Sequence, residues 1–300
     1  MARVDSDLFD RLEQFYDALP RPWARVEEIG SLILFIREGE GWPYYARPAR
    51  GSHTPSAADI LETRRRQREL GLPESFEWVH ETTPDLLAVA RSAGLEVLLA
   101  PLLSLDAAAL VPDLPVPGAT LRYLDPTADD FAEDLRAARA VARLAFATPP
   151  HRSPLTPLTM LTTLTTPGEK PLAIDPSGPA ERDAVEPLST ESVDHARAMF
   201  ATGDYTTLVA ESPTDGILAV ATGQRHGDTA EVAGVATLPS ARNQGYASQL
   251  TATLAGHLLR SGAGLIFLAA GDDDTARLYT KVGFRRVGTA CIGEPAAVPL

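Results

Sequence analysis

Arg242, Asn243, Gln244, Gly245, Tyr246 and Ala247 stand between a Val- and Ala-rich stretch, Glu231 to Thr237, and a stretch with Leu250, Leu254 and Leu258 at helical spacing. Where a strand runs into a helix start, backbone N–H groups are left unpaired and carry about half a positive charge. Such a turn can hold a pyrophosphate if no bulky side chain intervenes, and Gly245 and Ala247 are small enough to leave that space. Arg-x-x-Gly-x-Ala alone is a weak signal, because glycine and other small residues are common at helix starts. A second feature strengthens it: Tyr279 follows Gly245 by 34 residues, in a run that ends in Gly283 and Phe284. Other chemistries fail quickly. His53, His80, His151, His195, His226 and His257 show no metal-ligand spacing, and there is neither a Gly-x-Ser-x-Gly elbow nor a Gly-x-x-x-x-Gly-Lys phosphate loop. His80 and Glu81 are neighbours on a short strand and so point to opposite faces.

Arg242-x-x-Gly245-x-Ala247 and Tyr279 followed by x-x-x-Gly283-Phe284 together resemble the GNAT acetyltransferases, over roughly Ala119 to Cys291. The resemblance implies acetyl-CoA as co-substrate and no metal, with a contact surface at Val235, Ala236, Thr237, Arg242, Asn243, Gln244, Gly245, Tyr246 and Ala247. It places the pyrophosphate on the turn, the pantetheine along the strand edge, an oxyanion-binding main-chain N–H within Val235 to Thr237, and the Tyr279 hydroxyl near the departing thiolate. An alkylammonium has a pKa of about 10.4 and must lose a proton before its nitrogen can attack. Glu231, in the region where histone acetyltransferases of this superfamily carry their catalytic glutamate, is the implied base, and half-burial would raise its pKa toward the working range. The other reading of Glu231 is a solvent-facing strand carboxylate, with a water chain as the base. One departure is Asp272, where relatives often carry Asn seven residues before the tyrosine; with Asp273 and Asp274 it reads as a cap for a helix near Thr275.

The first part of the chain echoes the second. Thr54-Pro-Ser-Ala57 matches Leu238-Pro-Ser-Ala241, and Ala88 to Leu95 matches Arg277 to Phe284. At the equivalent of the turn, Ala58, Asp59 and Ile60 offer neither Arg nor Gly, and Ala90 replaces the tyrosine. The expected fold class is therefore α/β with a mixed sheet, as two GNAT-like domains in tandem: 1–117, degenerate and including a linker, and 118–300, which carries the chemistry. Trp23, Trp42 and Trp78 all lie in the first of these, for packing or as a wall of the acceptor site.

The elements that must position these residues follow from periodicity. The first part reads as a helix (Ser6 to Leu19), strands (Ile29 to Ile36, Trp42 to Ala46), a helix (Asp59 to Leu70), a strand (Phe76 to Val79), a helix (Pro84 to Ser92) and a strand (Leu95 to about Leu99). Leu102 to Gly118, with Pro112, Pro115 and Pro117, reads as the connection. A strand (Ala119 to Tyr123) and a long helix (Asp129 to Phe146) precede Thr148 to Thr190, an irregular insertion that holds nine prolines and the Thr-rich run Thr156 to Thr166. After it come a helix (Thr190 to Phe200), three strands (Thr206 to Ala210, Ile217 to Gly223, Glu231 to Thr237), the helix Gln244 to Ser261, the strand Leu265 to Ala269, the helix Thr275 to Val282 and the strand Arg285 to Cys291.

Composition bounds the partners. The chain has 300 residues, with 27 basic and 40 acidic side chains and a net charge of −13. This speaks against nucleic acid, whose binding rests on neutralised phosphates, and leaves a cationic small-molecule amine or a protein amine as the easier acceptor. The single cysteine, Cys291, gives no sign of an oxidising compartment. Met1 to Asp17 has five acids and no apolar run, and Val97 to Leu103 is too short to span a membrane, so a soluble, cytoplasmic protein is expected. The expected function is direct acetyl transfer from acetyl-CoA to a primary amine; the alternative is an inactive CoA-binding regulator or scaffold.

Overall fold

The computed structural model describes residues 2–39, 43–111, 116, 118–148 and 177–296. Trp42, Pro112, Pro115, Pro117, His151 and the Thr156 to Thr166 run lie outside the described residues. In chain order the elements are α1 (Ala2–Ala18), β1 (Ala24–Ile29), β2 (Leu32–Arg37), β3 (Arg47–Pro48), α2 (Ala57–Glu69), β4 (Phe76–Val79), α3 (Leu86–Ser92) and β5 (Leu95–Leu105). They continue with β6 (Thr120–Tyr123), α4 (Phe131–Ala147), α5 (Pro179–Asp183), α6 (Thr190–Ala201), β7 (Tyr205–Ser212), β8 (Gly216–His226) and β9 (Thr229–Thr237). The last are α7 (Tyr246–Arg260), β10 (Leu265–Ala269), α8 (Asp273–Val282) and β11 (Phe284–Pro295).

The strands form a small sheet, β1-β2-β3, and a large mixed one in the order β4-β11-β5-β10-β9-β8-β7-β6. The large sheet contains two strand–helix–strand units, β4–α3–β5 and β10–α8–β11, one from each half. In each, the second strand is inserted between the two strands of the other. β5 and β11 pair antiparallel from Leu95 opposite Pro295 to Leu105 opposite Phe284. β11 also pairs with β4, and β5 with β10. The internal echo read from the sequence thus has a spatial counterpart: the halves exchange strands through one continuous ladder.

Alternate residues of β10 part between two cores, as the two-residue repeat of a strand requires. Leu265 and Phe267 pack under α1 with Leu12, Phe15, Tyr16, Val79 and Leu102. Ile266 and Leu268 join the larger core formed with α4, α7 and α8. A third cluster, around Trp78, Ile60 and Leu86, fills the first half.

Several elements differ from the sequence reading. The strand expected over Ile29 to Ile36 is split into β1 and β2 by a turn at Gly30, whose φ of 57° suits glycine. Of the described residues in the strand expected at Trp42 to Ala46, only Ala46 bridges the sheet, to Phe76. β5 does not stop near Leu99 but continues through Pro101 into the expected connection, ending at Leu105. Proline is tolerated in this central strand because its backbone faces the end of β10: its carbonyl accepts from Ala270 N–H at 2.8 Å, and the reciprocal bond that its missing N–H would make falls just past the last β10 residue, Ala269. The described end of the expected irregular insertion is ordered as α5, where Arg182, only 5% exposed, donates to the carbonyls of Asp215 and Ile217, each at 2.6 Å.

No helix among the described residues is long and apolar enough to cross a membrane.

Candidate active site

β9 leads through a single 3₁₀ turn, Pro239–Ala241, into Arg242 and α7. Asn243 and Gly245 are both left-handed, with φ of 63° and 89°, and Gly245 is the N-cap of α7. No side chain caps this helix. A Cβ built on Gly245 would have no atom within 4 Å, so glycine is required here by the backbone angle, and the space before the helix is open. An uncapped helix start behind an open glycine is a fitting cradle for a diphosphate. Tyr246 turns its ring into the core, 3% exposed, leaving its backbone N–H and that of Ala247 at the turn. The Arg242 guanidinium donates to Ala145 O at the end of α4, at 2.8 Å, which ties the turn to that helix. Gln244 Oε1 accepts from Tyr246 Oη at 3.4 Å.

β9 and β10 run parallel only through Leu265↔Thr229, Ile266↔Ala230 and Phe267↔Glu231. Beyond Glu231, β9 is paired among the described residues with β8 alone, and Leu268 and Ala269 with β5 alone. The strands therefore splay immediately past Glu231. The cause is visible on β9: Val220 opposes Ala236 and Thr222 opposes Ala233, so Gly234 and Val235 stand opposite the single residue Ala221. Gly234, at φ 59°, makes this bulge, which bends the strand. Val235, Ala236 and Thr237 thus lie on an edge open toward the gap, where an extended chain could add as a further strand.

Glu231 sits at the apex of the splay. As the parallel register partner of Phe267, it leaves the sheet on the same face, the one α1 covers. It is half-buried, and burial pushes its carboxyl up to about 8; Glu77 adds to the rise and Arg47 opposes it. A carboxyl titrating there can take a proton near neutral pH. Tyr279 lies on α8, 6% exposed, with its ring edge-on to Phe284 at 6.4 Å. Burial, with Asp272 assisting, raises its phenol above the ordinary value, so it keeps its proton and can donate. Asp272 is the N-cap of α8 and accepts from Thr275 N–H at 2.7 Å, the cap that its sequence position suggested.

In the first half, the helix start equivalent to that of α7 is already filled. Ser56 caps α2, and the Asp59 carboxylate accepts from the backbone N–H of Ser56 at 2.9 Å and of Ser31 at 3.5 Å. An incoming phosphate would meet that carboxylate. Ala90 is buried in the core. Trp78 is a core residue, and Trp23 packs edge-on against His195 at 5.3 Å. No group of three or more His, Cys, Asp or Glu is placed to hold a metal ion among the described residues.

Tyr16, Arg47 and Glu77, which surround Glu231 electrostatically, escape a reading of the sequence. Tyr16 fits an apolar helix stripe, and Arg47 and Glu77 belong to no motif. The only available signal was acidic and basic residues in stretches otherwise fit for buried strands.

Residues 203–286 match the family model described as an acetyltransferase (GNAT) domain. Among solved structures, a GCN5-related N-acetyltransferase from Kribbella flavida is 23% identical, with a TM-score of 0.62 over 96% of each chain. A GCN5-related N-acetyltransferase from Sphaerobacter thermophilus is 13% identical, with a TM-score of 0.52 over 93% of this chain and 86% of that one. A tandem GNAT protein from the clavulanic acid biosynthesis pathway is 14% identical, with a TM-score of 0.51 over 91% and 80%. At these identities the likeness is one of fold. No curated protein sequence matches the chain.

Proposed function

We propose, for a chain that carries a GNAT acetyltransferase domain in a GNAT fold extending over nearly its whole length, direct transfer of an acetyl group from acetyl-CoA to a primary amine. The observation that carries this reading is the splay of β9 from β10 at Glu231, facing the open, uncapped start of α7. Acetyl-CoA, when bound, supplies the thioester carbonyl that the amine attacks. The backbone N–H groups of Gly245, Tyr246 and Ala247 hold its diphosphate, with Arg242, Asn243 and Gln244 shaping the turn. The edge of β9 at Val235, Ala236 and Thr237 pairs with the pantetheine, and a main-chain N–H there supports the negative charge that develops on the carbonyl oxygen. Glu231 accepts a proton from the incoming ammonium, and Tyr279 Oη donates one to the departing sulfur. The charge of −13 favours a cationic acceptor, either a small molecule or a protein amine, in a cytoplasmic setting. We read the chain as two GNAT-like units, 1–117 and 118–300, of which only the second binds the cofactor.

Calorimetric titration with acetyl-CoA, followed by assay against a panel of primary amines, tests this. One site per chain is expected, and Gly245→Glu should abolish it by setting a strained carboxylate before the helix start. Two sites would return the first half to function; none would leave a scaffold. Saturable binding without turnover on any amine would favour the regulator. Tyr279→Phe is expected to lower kcat by about 10²-fold or more with unchanged acetyl-CoA affinity. An unchanged kcat would remove Tyr279 from its role.

A further inference from the structure

The side chains that face Glu231 come mostly from the other half of the chain. Glu77, on β4, pairs with Arg47 of β3 at 2.5 Å. The Arg47 guanidinium lies over the Tyr16 ring at 3.9 Å, and that ring stands edge-on to Phe267, the register partner of Glu231, at 5.4 Å. Arg47 and Tyr16 are 5% and 7% exposed. Arg47 Nη2 and Tyr16 Oη are buried without a hydrogen-bond partner among the described residues. A buried ion pair with unsatisfied donors is a poor device for stability, because apolar residues of similar volume hold a core together as well or better. Its placement beside the one half-buried carboxylate at the apex of the splay suggests a different use.

We infer that the Arg47–Glu77 pair is a positioning device that acts through Glu231, fixing from the first half the charge state in which that carboxylate meets the acceptor amine. The inference rests on Glu231 being the base. It gives the first half a part in catalysis although that half lacks the cofactor turn. The other groups that face the cluster are Tyr16 and Glu13 from α1, Tyr45 ahead of β3, and Glu294 from β11. Burial, aided by the surrounding carboxylates, holds both phenols in their neutral form, so Arg47 and the carboxyl groups set the local field. Glu77 opposes ionisation of Glu231 and Arg47 favours it, so the two act against each other while both are present.

The test is a pair of substitutions with opposite signs in the full-length protein. Glu77→Gln removes the opposing charge and leaves Arg47 uncompensated, so Glu231 should ionise at lower pH. Arg47→Gln leaves Glu77 uncompensated, so it should ionise at higher pH. A displacement of about one pH unit in each direction is expected, with the double variant returning toward the parent and Arg47→Lys staying close to it. Two readouts are taken: the ¹³C carboxyl titration of Glu231, assigned by its loss in Glu231→Gln, and the acid limb of the kcat/KM profile. Opposite displacements in both establish the inference. Displacements in the same direction, or an unmoved carboxyl titration in folded variants, overturn it. Opposite carboxyl displacements with a fixed acid limb uphold the coupling but remove Glu231 from its role as base, which separates failure of the inference from failure of the functional reading.

Discussion

Glu231→Gln is expected to lower turnover by a factor of about 10² to 10⁴ while leaving acetyl-CoA affinity intact. The same change should make the folded protein more stable at alkaline pH. Burial raises the Glu231 carboxyl to about 8 in the fold, above its ordinary value. The folded state therefore holds this proton where the unfolded chain has lost it. Stability from this group is complete at pH below the ordinary carboxyl range, declines as pH rises through the window up to about 8, and levels off beyond it. A glutamine never ionises and escapes that decline. Thermal melts of the two proteins should thus diverge in favour of the variant as pH rises, while the assay moves the other way. A variant as active as the parent would hand the proton to water; one equally active and equally stable at every pH would show that Glu231 is an ordinary solvated carboxylate.

The second large effect is expected from dividing the chain. Residues 118–300 expressed alone lack β5, and with it the inner partner of both β10 and β11. They also lack α1, whose Phe15 and Tyr16 cover Phe267. The fragment would expose strand edges and an apolar face together, the combination that favours aggregation. Loss of cooperative unfolding is expected, a deficit comparable with the whole stability of a domain, about 5–15 kcal/mol. Circular dichroism melts of the fragment, alone and coexpressed with 1–117, measure this, and coexpression should restore the transition. A fragment that melts cooperatively by itself would show that the ladder between halves contributes little to the fold.

The local geometry of the α7 turn and of the helix that bears Tyr279 was legible because its determinants are local. Gly245 and Ala247 sit at one turn, Tyr279 within one helix, and Asp272 caps the helix that bears it. Patterns of this kind survive in the sequence because each is confined to a few neighbouring residues. Glu231 could be placed by its distance from Gly245 and its half-burial weighed, but the charged groups around it could not be anticipated. That environment depends on Arg47 and Glu77, which lie on β3 and β4, far from Glu231 in the sequence. β5 was misread for a related reason: Pro101 looks like a strand terminator until β10 is seen to end beside it.

The interleaved strands also dictate an order of events during synthesis. β4 and β5 emerge from the ribosome with the place between them vacant, and its occupant, β11, is translated only after all the other strands. The first half therefore cannot reach its final form before β11 is made, and until then the nascent polypeptide must carry an open sheet edge. Closure of that gap joins both halves at once, so β11 acts as a latch. A premature stop before Phe284 would cost the first half its integrity as surely as the second.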